Sequence, residues 1–452
     1  MALRDCIVGI QWGDEGKAKI VDERIHTAKI LYPGKRIITL RFQGGTNAGH
    51  TLWIPTDSGL KKFVAHAAPC GIASNTDLGI GPNVAFDPEK FMKELKEAKE
   101  IFGDYTGRIM ISERTGVLLD YHRMLDMFQE KKRSHKVGTT ASGIGPFYMC
   151  NAERTTRITF NDYISDKFPE KLKEVLKWYR RPLNAMGKRS INDYCEELLA
   201  IHNPIREELK DFSERLEYRM QEYMKDDHNI IIEGAQGTYL DVDMGTIPDQ
   251  TSSHLLAQDA FSGLGLSRRD FKIYGIEKVY PTRVGNGPMP TLAEELQIVG
   301  ENAGEKGATT GRVRRVGYPD WVLIRRAAFL NDIDGAYLTR ADNAQNIGWK
   351  ACIGYEGTEQ IYVEEVPINL NEVTPIYNEK TYNWHLFDAP KNLSNPAEVD
   401  EQLRPLRKAI VEDGFNNLPE TLLKYTKNHD DYVGRPIVGI SIGPERGETV
   451  LK

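Results

Sequence analysis

Two short stretches carry the residue types that could move a proton and a phosphoryl group. The first, QWGDEGKAK at residues 11–19, joins the apolar run Cys6–Ile10 to a helical IVDERI. A Gly-rich turn between a buried strand and a helix N-terminus aims backbone N–H groups and the helix dipole at one point, which suits an anion. Lys17 adds a point charge for phosphate. Against the phosphate-loop pattern GxxxxGK[ST], Gly16 and Lys17 fit, whereas Gln11 replaces the first Gly and Ala18 the hydroxyl residue. That hydroxyl ordinarily ligates Mg²⁺, so a metal here would draw on another oxygen, and Asp14 offers a carboxylate. Taken alone, the turn could equally be a plain helix opening in which Asp14 and Glu15 favour the dipole.

The second stretch, QGGTNAGHT at residues 43–51, leaves the run RIITLRF and holds Asn47, Gly49, His50 and Thr51. A lone His is commonly structural. Two Gly-rich strand exits at the carboxyl edge of one parallel sheet, however, would lie where α/β folds bind ligands. There His50 could donate to a developing phosphate oxygen.

Five further stretches share this character. GTTASGIGP, residues 138–146, pairs the Thr140 hydroxyl with glycines, and Arg154 follows with a fork suited to a monophosphate. EGAQGT at 233–238 and TSS at 251–253 supply Gln236 and Thr251, neutral partners for a base or ribose. GATTGRVRR at 307–315 gathers two threonines, two glycines and three arginines into an anion trap for a dicarboxylate or phosphates. No aromatic platform or basic stripe accompanies it, which favours small anions over nucleic acid. TRAD at 339–342 places Asp342 where it could accept from the N1–H and 2-amino edge of guanine.

The elements that must position these loops follow from pattern. Runs at Cys6–Ile10, Arg36–Phe42, Arg108–Ser112, Asn229–Glu233, Lys272–Val279, Ala336–Thr339 and Pro436–Ser441 read as buried strands. Helical patterns occupy Asp87–Phe102, Asp120–Lys132, Pro204–Lys225 and Tyr318–Asn331, the first two opening on an Asp suited to a cap. Alternation of strand and helix implies an α/β fold with a mainly parallel central sheet flanked by helices, in the manner of P-loop NTPases. We read residues 1–452 as one large domain, with the charged stretch 163–227 as a helical excursion and Tyr355–Pro405 as irregular loops around a short β element.

Composition excludes other classes. With 27% charged residues, 40% apolar and 40 Gly, the chain is neither disordered, collagenous nor coiled coil. A net charge of −6 is too small to argue for nucleic acid or membrane, so anion binding must be local. Nothing approaches a membrane span or a secretion signal, and the five cysteines show no CxxC. Reduced thiols and a cytoplasmic setting are expected.

Taken in order, QWGDEGKAK, QGGTNAGHT, GTTASGIGP, EGAQGTYLDVDMGT, TSS, TRVGNGPMPT, GATTGRVRR, TRAD and SIGPER resemble the adenylosuccinate synthetase family over essentially the whole chain. The resemblance implies a homodimer that ligates L-aspartate to IMP at the expense of GTP, with Mg²⁺, giving adenylosuccinate, GDP and phosphate. It implies Asp14 as the base at N1 of IMP and His50 as the acid at the leaving β-phosphate, with Lys17 and Gln236 beside them. Gly13, Asp14, Glu15, Gly16, Lys17, Ala18 and Lys19 with Gly49, His50 and Thr51 would hold the triphosphate. Mg²⁺ would lie on Asp14 and the Gly49 carbonyl.

IMP would meet Asn47, Thr140, Gln236, Thr251 and Arg312, and Arg154 would reach the partner's IMP. The loop Ala308, Thr309, Thr310, Gly311, Arg312, Val313 and Arg314 would clamp aspartate, with Arg314 also near the nucleotide. Arg340, Ala341 and Asp342 with Ser441, Ile442 and Gly443 would form the guanine pocket.

Three positions depart from the family pattern: Ala18 and Ser142 stand for a glycine and an arginine, and Arg340 for a lysine. A virus-type relative that uses dGMP is the near alternative, and the presence of Asp14 argues for IMP because that branch carries a smaller residue there. A non-catalytic nucleotide-binding regulator would have lost the base or the acid. An NAD oxidoreductase is disfavoured because the first loop lacks GxGxxG.

Overall fold

The architecture rests on a computed structural model describing residues 1–56, 59–134, 139–305, 311, 313–388 and 396–452, with side chains omitted over 396–400. All seven expected strands form and join one sheet, at Arg4–Gly9, Ile37–Gly44, Ile109–Ser112, Asn229–Glu233, Lys272–Lys278, Gly335–Thr339 and Ile437–Ser441. From one edge the order runs 449–451, 437–441, 335–339, 272–278, 4–9, 229–233, 37–44, 77–86, 109–112 and 213–214. Only the 449–451 pairing in this path is antiparallel. Alternate residues feed opposite faces. Cys6, Val8, Ile38, Leu40, Ile230 and Ile232 enter one apolar core, and Ile7, Ile37 and Ile231 the other. Burial on both faces is why these strands read as unbroken apolar runs.

Several expectations need correction. Asp77–Phe86, a ten-residue strand reading DLGIGPNVAF, was hidden behind its Gly and Pro. Gly79 there is a packing requirement, because a Cβ would sit 2.1 Å from Leu40 Cδ2. A hairpin, His50–Thr56 with Gly59–Ala65, also went unread. The expected helix 204–225 is two helices, Ile191–Leu209 with Pro204 inside it and Leu216–Lys225; between them Ser213–Glu214 adds to the sheet edge. The excursion is therefore stitched to the main sheet.

Asp87 caps its helix through Lys90 N–H at 3.2 Å. Asp120 does not cap. It accepts from the Tyr194 hydroxyl at 3.1 Å, while His122 Nδ1 bonds the Leu119 N–H. The helix near 318 is Trp321–Asn331, capped by Asp320. The region 355–405 is less irregular than expected. A three-stranded sheet of Cys352–Glu356, Ile361–Tyr362 and Thr374–Tyr377 occupies its start, and helix Pro396–Asp413 runs through Pro405 at its end.

Candidate active site

Because the strands are parallel, their carboxyl ends share one edge, and strand order becomes the order of loops along a cleft. The turns after 441 and 339 lie at one end; those after Gly9, Glu233 and Gly44 follow. One cleft of about 1880 Å³ takes in Asp14, Lys17, His50, Gln236, Arg340 and Asp342. That exceeds the roughly 300–1,000 Å³ of a single-ligand pocket. Several ligands fit side by side.

The first loop and the Gln236 loop touch. A Cβ at Gly237 would lie 2.4 Å from Glu15 Oε1 and 2.5 Å from Gly13 N, so only glycine permits the approach. Asp14 at φ 60°, Gln236 at 55° and Arg340 at 65° all occupy the left-handed region. Such costly conformations persist where the surroundings impose them, and they gather at functional sites. Glu15 is fully buried and its carboxylate accepts from Gly13 N–H at 2.7 Å and from Lys17 Nζ at 2.6 Å. Its side chain braces the loop and does not line the cleft. Ala18 is the second residue of helix Lys17–Leu31, where φ is negative, so its methyl costs nothing in backbone strain.

Lys19 is committed elsewhere than expected. Its ammonium donates to Ser441 Oγ and the Gly443 carbonyl at 2.6 Å and to the Glu448 carbonyl at 2.9 Å, fastening the phosphate loop to the 441–448 turn. Burial pulls its pKa below the ordinary value.

His50 opens its hairpin strand with the ring 6% exposed. Nδ1 lies 3.4 Å from Cys70 Sγ and 3.6 Å from Glu233 Oε1, and the buried Nε2 has no hydrogen-bond partner among the described residues. Burial lowers the imidazole's pKa and Glu233 opposes it. Glu233 is itself buried, pairs with Arg41 at 3.6 Å and accepts from Cys70 N–H at 3.0 Å. Which ring nitrogen carries the proton in neutral His50 follows its tautomer, whereas the imidazolium donates from both, Nε2 included. Gln236 likewise carries its amide with both ends unpaired and buried.

Glu305 is the hub of the charged wall. It meets Lys278 at 3.0 Å, Arg340 at 3.6 Å and the Arg314 guanidinium. Burial alone would raise its pKa, but these three cations outweigh it and hold it at about 2. Burial pushes Lys278 down to about 8. Arg314 extends from Glu305 to Asp14 Oδ2 at 3.0 Å.

Of the residues singled out in the sequence, Gly13, Asp14, Gly16, Lys17, Ala18, Lys19, Asn47, Gly49, His50, Thr51, Thr140, Gln236, Thr251, Arg314, Arg340, Asp342, Ser441 and Gly443 line the cleft. Ala341 and Ile442 are buried behind it, Val313 is exposed, and Arg154 projects to solvent away from it. Ala308, Thr309, Thr310 and Arg312 lie outside the described residues. Ser142, at the position of the family's arginine, is buried and accepts from the Thr140 hydroxyl at 3.0 Å. Residue types alone missed Glu233, Glu305, Arg41, and Asp126, which accepts from Thr139 Oγ1 and Gly143 N–H. For Glu233, Glu305 and Arg41 the signal was an acid or base at a strand end or directly before a loop already flagged; Asp126, inside helix Asp120–Lys132, gave none.

Fold and cleft together define an α/β enzyme class with Gly-rich strand exits gathered around one cleft large enough for more than one ligand. A family model described as adenylosuccinate synthetase matches residues 6–450. The adenylosuccinate synthetase of Shewanella oneidensis is 36% identical over 459 residues, spanning 98% of this chain and 97% of the relative. That of Clostridium botulinum is 32% identical over 455 residues, spanning 98% of each. Among solved structures, the fully ligated adenylosuccinate synthetase of Plasmodium falciparum superposes with a TM-score of 0.84 at 28% identity over 99% of both chains. A cyanophage S-2L succinoaminodeoxyadenylate synthetase, bound to dGMP and to dATP as an energy donor, shares the fold at a TM-score of 0.61 and 16% identity, covering 100% of this chain and 95% of that one. This chain belongs to the adenylosuccinate synthetase family.

Proposed function

We infer that the protein is a C–N ligase that joins L-aspartate to IMP with GTP as phosphoryl donor, releasing adenylosuccinate, GDP and phosphate. Family membership sets the reaction. The observation that carries the residue roles is that Asp14, Lys17, His50 and Gln236 line one cleft between the Asp342 end and the Thr140–Thr251 end.

The chemistry follows from the substrate. O6 of IMP belongs to a cyclic amide and leaves badly, so it must be activated. Asp14 takes the N1 proton, which moves charge onto O6 for in-line attack at the γ-phosphate. Lys17, steered by Glu15, and the N–H groups of the first turn neutralise the triphosphate. His50 donates through Nε2 to the leaving β-phosphate. The amine of aspartate then attacks C6 and expels phosphate, a far better leaving group than the oxide. Gln236 meets the purine through its two unpaired amide ends. Arg314, paired with Asp14, supplies a guanidinium fork suited to a carboxylate of aspartate.

The donor chemistry of this wall supports Mg²⁺. Hard oxygen donors are what it requires, and the Asp14 carboxylate and Gly49 carbonyl, residues of the cleft lining, are the donors that would hold it. When bound, the ion would neutralise charge on the β- and γ-phosphates. The exposure of Arg154 and its absence from the cleft lining support the reading in which it serves a second copy, and we read the enzyme as a homodimer of one-domain chains. Five buried, unpaired thiols favour the reducing cytoplasm.

The test is product formation with GTP and aspartate and, side by side, IMP or dGMP. Turnover of IMP is expected. Turnover of dGMP alone would overturn the choice of substrate.

A further inference from the structure

Helix Pro396–Asp413 places two arginines, at i and i+3, against the turn after Ser441. Arg404 pairs with Glu445 at 2.6 Å. Arg407 is 4% exposed yet lines the cleft, with one terminal nitrogen 3.3 Å from Glu448 and the other 3.6 Å from Asp342 Oδ2. Its guanidinium also sits 6.0 Å from the Phe387 ring centre. Arg407 is therefore held from behind and points at the carboxylate expected to read the base.

We propose that Arg407 determines the base specificity of the nucleotide site, donating to O6 of guanine while Asp342 accepts from N1–H and the 2-amino group. The proposal rests on reading the Asp342 end as the donor-nucleotide pocket. A carboxylate alone discriminates weakly, because the 6-amino group of adenine can donate to it as readily as N1–H of guanine. A fixed cation beside it changes this. Guanine presents an acceptor next to a donor, matching Arg407 next to Asp342, whereas adenine turns its amino donor toward the guanidinium.

The experiment compares kcat/KM for GTP, ITP, 6-thio-GTP and ATP in the wild type, R407M and R407K, at saturating IMP and aspartate. In R407M the value for GTP should fall about 10- to 100-fold, the size of one charge-assisted hydrogen bond. ITP, which keeps O6, should fall by the same factor, and ATP should not fall. KM for IMP and aspartate should stay put, and Lys should restore part of the GTP preference. In the wild type, 6-thio-GTP, a poorer acceptor at position 6, should already be disfavoured, a comparison that needs no variant to fold. An unchanged GTP:ATP ratio in R407M, or wild-type use of 6-thio-GTP equal to that of GTP, would sink the proposal and leave the ligase reading standing. Absence of any GTP turnover by the wild type would overturn both.

Discussion

Replacing Glu233 by Gln removes the charge facing His50 Nδ1 while keeping an oxygen to accept from Cys70 N–H. At 3.6 Å and an effective dielectric of about 20, an imidazolium and a carboxylate attract by roughly 4–5 kcal/mol. Arg41 lies 3.6 Å from the same oxygen and shares its charge, so about half of that, ~2 kcal/mol, is a fairer figure for His50. Losing that attraction lowers the imidazole's pKa and, at a pH above it, cuts the protonated fraction by roughly 30-fold, the factor that ~2 kcal/mol represents. Burial already pulls His50 downward, so nothing else at the site replaces the lost support. The assay is kcat and KM for GTP, IMP and aspartate across the pH range, with thermal unfolding as a control on folding. We expect kcat to drop about 30- to 100-fold and KM values to hold. The limb on which kcat falls with rising pH should move to lower pH. A folded Glu233→Gln protein with kcat within about threefold of wild type, or with an unmoved limb, would refute the assigned pairing.

Asp14→Ala should abolish product formation while equilibrium dialysis still detects GTP, since Lys17 and the turn amides remain; near-normal turnover would remove Asp14 from its role. Gly79→Ala forces a methyl against Leu40 Cδ2, 2.1 Å away, and should cost about 1–3 kcal/mol in denaturant unfolding, an unchanged midpoint being the contrary result. His429 is fully buried; burial works against its charge, but Glu277 at 3.0 Å and Asp430 at 3.5 Å outweigh it and raise its pKa from 6.5 to about 9. The folded state thus binds this proton more tightly than the unfolded chain, so its contribution is complete below pH 6.5 and is lost as pH rises through about 9. Urea unfolding from pH 6 to 9.5 should show that decline, and His429→Gln should flatten it.

The phosphate-handling loops were legible before any fold was known, because a Gly-rich exit from an apolar run is a local pattern, and Asp14, Lys17 and His50 lie inside such exits. The strands that carry them were equally legible, since burial on both faces leaves an unbroken apolar run. Asp77–Phe86 was not, because Gly79 answers to a neighbouring strand rather than to its own segment. Helix Pro396–Asp413 was obscured by Pro405 and by polar composition.

Pairings across long stretches of chain belong to tertiary structure alone. Glu233 reaches His50 because strands 229–233 and 37–44 are neighbours in the sheet, an adjacency no window of sequence contains. Arg407 meets Asp342 for a similar reason: the turn after Ser441 brings its helix over the base end of the cleft. Local sequence set which groups can bind an anion or carry a proton. Strand order decided which of them face one another, and so which charges tune the imidazole and the base-reading carboxylate.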